Sequence, residues 1–172
     1  MYRPKELMAD LRQELGVSIL YKVAWKAKQL ALGIIHGDHA RSYGKLQPYC
    51  NKFVVSNPRT VAHVQQTIEG HFCRMFLAFG ACITGFSHCR DFVRLDGTFL
   101  TSKYLGALLT ATEIDATGAL FPIAFGVVDA ENEDKWVWFL QNVHDCMTSV
   151  ITITFVSDKQ KGLLPAVSSF LP

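Results

Sequence analysis

The chain has 172 residues, 49% of them hydrophobic, with 17 Lys and Arg against 15 Asp and Glu. That is enough apolar material for one ordinary domain core with a small appendage, and too much for a disordered chain. The longest uncharged run, the 15 residues from Met75 to Cys89, contains two glycines, Thr84, Ser87 and His88 and is too short and polar to span a membrane. The charged opening "MYRPKELMAD" is not a secretory signal.

Five cysteines, an odd number with no CxxC pair, suit reduced thiols inside a cell better than a disulfide framework. The net charge of +2 is unevenly spread. Residues 1–70 hold ten basic and five acidic side chains, and residues 71–172 hold seven and ten. A basic half beside an acidic half is compatible with nucleic acid on one side and metal-binding carboxylates on the other, or with two solvated surfaces of opposite sign.

In chain order, residues 1–70 read as a helical N-terminal region. Leu7, Leu11 and Leu15 recur every four residues before Gly16, a plausible stop. Leu20, Val23, Ala27, Leu30 and Ile34 recur at three and four up to Gly37, and Leu46, Tyr49, Cys50 and Phe53 mark a third helix near 42–54, ended by "SNP". Phe72, Met75, Phe76, Phe79, Ile83 and Phe86 form a fourth apolar stripe of helical spacing.

From residue 91 the texture becomes β-rich. Strands are predicted over 91–96, 104–115 and 119–130, with "DATG" as the turn between the second and third. Asp96 stands where the first strand is expected to break into a Gly-Thr turn. Pro122 points to a sheet edge or a bulge near the start of the third strand. "ENED" opens a helix carrying Trp136, Phe139, Leu140, Val143 and Met147 at helical spacing, and "VITITFVS" (150–157) is a fourth, buried strand.

This succession gives a mixed α/β sheet. In an antiparallel meander the first and third strands run the same way, and the helical crossover returns the fourth parallel to them. With Pro122 at an edge, the fourth strand pairs beside the first, and the order is 3-2-1-4. Asp96 and Asp158 then become neighbours at one end of the sheet. Asp129, two strands away, reads as a surface or capping residue, and Asp115 as a turn former. Two converging carboxylates repel unless a cation lies between them, and hard oxygen donors suit Mg²⁺ or Mn²⁺. Strand-end aspartates also serve simply as turn or cap residues.

Three stretches carry a family resemblance: "LDGTFL", "FPIAFGVVDAENEDKWVWFL" and "SDKQKGL". With their flanks at 72–93, 94–143 and 155–172, they resemble the catalytic domain of plant Mutator-like transposases. Residues 20–60 resemble the helical region that precedes that domain. The resemblance implies an RNase H-like fold over 71–172 and metal-dependent DNA cleavage and strand transfer in the nucleus. It makes Asp96 and Asp158 the first two acids of a DDE-type site binding Mg²⁺ or Mn²⁺. The family's third acid, a glutamate further downstream, lies beyond Pro172, so the expectation is a catalytic domain lacking the C-terminal part of its fold and inactive by itself. A domesticated, non-catalytic DNA-binding or protein-interaction remnant is the alternative. Lys159 and Lys161 beside the second aspartate, and Lys22 and Lys26 on the second helix, are candidate contacts to DNA phosphates, with ordinary solvation as the plain explanation.

Other readings are weaker. "LDGTFL" echoes the DxDGT motif of haloacid dehalogenase phosphatases, but Arg94 occupies the nucleophile position and cannot attack phosphorus. His71, Cys73, Cys82, His88 and Cys89 fit no zinc-ligand spacing and read as packing or surface residues. "HGDH" (36–39) reads as a polar loop. Trp136 joins the apolar stripe of its helix, and Trp138 either packs elsewhere, the favoured reading, or stacks on a ligand.

Overall fold

The computed structural model describes residues 3–36, 42–89, 92–101, 105–147, 154–157 and 162–170. Two compact units emerge, Met1–Lys45 and Leu46–Pro172.

The first unit contains the helices α1 (Pro4–Leu15) and α2 (Tyr21–His36), packed on each other. Pro4 lies in the first turn, where a missing N–H costs nothing, and the Glu6 carboxylate accepts from the Arg3 backbone N–H at 2.7 Å. Gly16 ends α1 in the left-handed conformation (φ 66°), the stop that its position implied. The expected stop at Gly37 and the rest of "HGDH" after His36 lie outside the described residues.

The second unit begins with α3 (Leu46–Ser56). Next come β1 (Val61–Gln66), β2 (Phe72–Ala78) and a short helix α4 (Gly80–Gly85), which tightens into a 3-10 turn over Phe86–His88. Then follow β3 (Phe92–Leu100), β4 (Gly106–Ile114), β5 (Leu120–Val128), α5 (Glu133–Cys146), β6 (Thr154–Ser157) and α6 (Leu163–Phe170). The six strands form one mixed sheet in the order β1-β2-β5-β4-β3-β6. β6 joins β3 in parallel, and the other pairings are antiparallel.

Three expectations are corrected. The stripe from Phe72 to Phe86 is not one helix: it is β2 followed by α4. Its spacing fits a helix, but "FCRMFLA" pairs on both sides, with β1 and β5, and the chain turns at Gly80, where a Cβ would lie 1.9 Å from the Pro58 carbonyl oxygen. Second, β3 does not break at Gly97. Thr98 and Phe99 have strong strand preference and, with Leu100, pair with Leu108, Ala107 and Gly106, which leaves Asp96 mid-strand rather than at its end.

Third, β5 is not at the sheet edge, because β2 covers its other side. Pro122 is accommodated by the bulge alternative. The β4–β5 register shifts at Ala111/Thr112, opposite Ile123, and β2 pairs only with Phe125–Val128, so the missing N–H of Pro122 disrupts no β2 pairing. The complete sheet therefore differs from the four-strand expectation by the β1–β2 hairpin added beside β5.

One face of the sheet carries the core. Phe76, Val93, Leu95, Leu109 and Ile123 meet Trp136, Phe139, Leu140 and Val143 of α5 and Leu163 and Ala166 of α6, all within 5% of full burial. Each large side chain so buried contributes roughly 1.5–3 kcal/mol before its entropy is counted.

Candidate functional site

Asp96 is the fifth of nine residues in β3 and is exposed. Alternation along the strand buries Val93 and Leu95 on the core side and turns Arg94, Asp96 and Thr98 to the other face. Across the ladder Asp96 registers with Thr110, whose hydroxyl donates to the Asp96 carbonyl at 3.3 Å.

On the other side of β3, the parallel register runs from Phe92↔Thr154 to Leu95↔Ser157. Ser157 is the residue before Asp158, as Leu95 is the residue before Asp96. Asp158, Lys159 and Lys161 lie outside the described residues. Gly162 has φ 86°, and a Cβ there would lie 2.8 Å from the Glu133 nitrogen and 2.9 Å from the Asn132 carbonyl carbon. The end of "SDKQKGL" is thus pressed against the first turn of α5 by a glycine that no other residue can replace without strain. That turn is capped by the Asn132 side chain, which accepts from the Lys135 N–H at 3.0 Å, with Glu133 and Asp134 at the positive end of the helix dipole.

The remaining acids have other uses. Asp129 pairs with the Lys135 ammonium at 2.7 Å, and Lys135 also donates to the Cys73 sulfur at 3.3 Å. Burial pulls the Lys135 ammonium down, but Asp129 and Cys73 outweigh it and its pKa is raised. Asp115 accepts from the Thr117 hydroxyl and N–H and from the Ala119 N–H, the expected turn role; these bonds hold its carboxyl below the usual range. Glu113 is fully buried on the core side with Ala111 and Leu109, the face opposite Asp96.

Among the described residues no group of three His, Cys, Asp or Glu side chains is placed to hold a metal ion. Of the two proposed ligands only Asp96 is described; it is a hard oxygen donor of the kind Mg²⁺ takes, and one such donor is not a site. Lys22 and Lys26 are exposed one turn apart on α2, in the first unit.

The Cys and His residues at 71–89 have ordinary surroundings. His71 is exposed 3.3 Å from Glu69, and burial raises the pKa of the Cys82 and Cys89 thiols. Trp136 is fully buried, its indole N–H donating to Glu131 at 3.2 Å. Trp138 meets Phe76 edge-on, and the Arg74 guanidinium stacks 4.5 Å from the indole centroid.

Arg74, with Gln65 and His63 from β1, was not singled out from the sequence. The signal was present: "VAHVQQ" followed by "TIEGH", where Thr67 and His71 close a turn with Gly70 at φ 82°, is a hairpin pattern.

Residues 92–172 match the family model described as the MULE transposase domain. No curated protein and no solved structure matches the chain.

Proposed function

We propose that this chain, whose residues 92–172 match the MULE transposase domain, uses Asp96 and Asp158 to hold Mg²⁺ or Mn²⁺ for the cleavage and strand transfer of DNA on an RNase H-like sheet. The observation that carries the reading is the parallel register Leu95↔Ser157, since each of these residues directly precedes one of the two aspartates in the sequence. Neighbouring strands lie about 4.8 Å apart, a spacing at which two carboxylates can share one cation. A bound ion supplies Lewis acidity to a scissile phosphate and activates an attacking water or 3′-hydroxyl. In this reading Lys159 and Lys161 contact the phosphates next to the metal, and Lys22 and Lys26 contact DNA from α2. Glu113 is not a third ligand, because it faces the core. The nucleus is the compartment that the family resemblance implies.

Calorimetric titration with Mn²⁺ tests the reading. The wild-type chain is expected to bind, and Asp96→Asn and Asp158→Asn each to weaken binding at least about tenfold, the scale of one lost ligand. Binding indifferent to both substitutions would overturn it. A second reading, a non-catalytic interaction role, is favoured by the apolar side chains that α2 exposes, Leu30 (70%), Ile34 (83%) and Ile35 (72%). It is the one left if DNA binds and Mn²⁺ does not.

A further inference from the structure

We infer that a cleft at the β1 edge of the sheet receives an unpaired nucleotide of a DNA strand. The cleft lies between β1, the start of α3 and α5, has a volume of about 400 Å³, and is walled by Gln47, His63, Gln65, Trp138 and Asn142. That volume is in the range of small-ligand sites, roughly 300–1,000 Å³. β1 is four strand spacings from β3, roughly 19 Å at about 4.8 Å each, so the cleft is separate from Asp96.

Its polar groups are oriented by their neighbours. The Gln65 side-chain oxygen accepts from Arg74 Nε at 2.6 Å, which leaves the Gln65 NH₂ as a donor. Asn142 Nδ2 donates to the Trp138 carbonyl at 2.7 Å, which leaves the Asn142 oxygen as an acceptor. Neither amide can be flipped, because an arginine N–H only donates and a backbone carbonyl only accepts. A side-chain donor and a side-chain acceptor beside an aromatic wall match the edge and face of a nucleobase.

Charge points the same way. Among the described residues no carboxylate lines the cleft. Arg74, held by Gln65 and by its stack on Trp138, sets a guanidinium beside it, a group that pairs readily with a phosphate. A lining so rich in amides is a poor fit for an apolar ligand, and its single imidazole is too few ligands for a metal site. In a duplex the pairing edges of the bases are already occupied, which selects an unpaired nucleotide.

The inference rests on the DNA reading above but not on the metal site, so the test is done in EDTA. The probe is a dye-labelled 15-nucleotide single strand, compared by fluorescence anisotropy with its duplex. The single strand is expected to bind the full chain about tenfold more tightly than the duplex. Asn142→Ala and Gln65→Ala should each weaken single-strand binding by about tenfold, the scale of one base contact, and change duplex binding less than twofold. Asn142→Asp, which keeps the shape and adds a negative charge, should weaken it further. Far-ultraviolet circular dichroism confirms that each variant is folded. Equal affinity for the two forms, no single-strand binding by the wild type, or folded Asn142 variants with wild-type affinity would each overturn the inference. Failure of the metal reading shows separately, as an Mn²⁺ titration that ignores Asp96 and Asp158.

Discussion

Replacing Gly162 with alanine should destabilise the second unit more than the same change at Gly118, although both glycines have φ 86°. The left-handed conformation costs alanine about 1–2 kcal/mol, and restriction of the unfolded chain returns about 0.4–1 kcal/mol. At Gly118 nothing lies within 4 Å of the added Cβ, so the net loss is about 1 kcal/mol. At Gly162 the Cβ would sit 2.8 Å from the Glu133 nitrogen and 2.9 Å from the Asn132 carbonyl carbon. Both are backbone atoms and cannot rotate away, so the first turn of α5 must shift, at a further cost of about 1–3 kcal/mol. Urea unfolding followed by tryptophan fluorescence should place the Gly162→Ala midpoint below that of Gly118→Ala by about 1 M, for a slope of about 2 kcal/mol per M. Equal midpoints would refute the idea that the segment after the lysines is held against α5.

Phe139 is fully buried, 5.7 Å from the Phe76 ring and 5.9 Å from Trp136, and Phe139→Ala should cost about 3–5 kcal/mol in the same unfolding assay. Burial, with a smaller contribution from Asp145, pushes the Cys146 thiol up to about 11. Its alkylation by iodoacetamide at pH 8, read by peptide mapping, should be about a hundredfold slower than that of a free cysteine. Because the folded pKa is the higher one, the stabilisation it brings is present below about pH 9 and is lost as pH rises through 11. Lys135→Met removes the pair with half-exposed Asp129, a loss of no more than about 1 kcal/mol. Here too the folded pKa is raised, so the contribution is complete below about pH 10.5 and fades above it.

The sequence was most legible where local chemistry decides the structure. Gly16 ended α1, Asp115 closed its turn, and the acidic "ENED" opened α5, because each acts through bonds within a few residues. It misled where long-range pairing decides. The apolar spacing from Phe72 to Phe86 suits a helix, and only the strands on both sides of β2 settle the matter. Gly97 looks like a turn glycine until β4 is seen to pair on past it. Pro122 was legible as a bulge but misleading as an edge, since what covers β5 comes from residues 72–78, far upstream. For the site, the turn expected after Asp96 drew attention to that residue, but β3 runs on through it, and the register with β6 is described only as far as Leu95↔Ser157. The β1 cleft was not legible, because its side chains come from β1, α3 and α5 and meet only through the fold.

The most direct test of a shared metal is paramagnetic broadening by Mn²⁺ in amide nuclear magnetic resonance spectra. At substoichiometric Mn²⁺ the signals of Asp96 and Ser157, on adjacent strands, should broaden together, and Asp96→Asn should abolish both effects. Broadening confined to other residues, or a pattern that Asp96→Asn leaves intact, would contradict a metal held between Asp96 and Asp158.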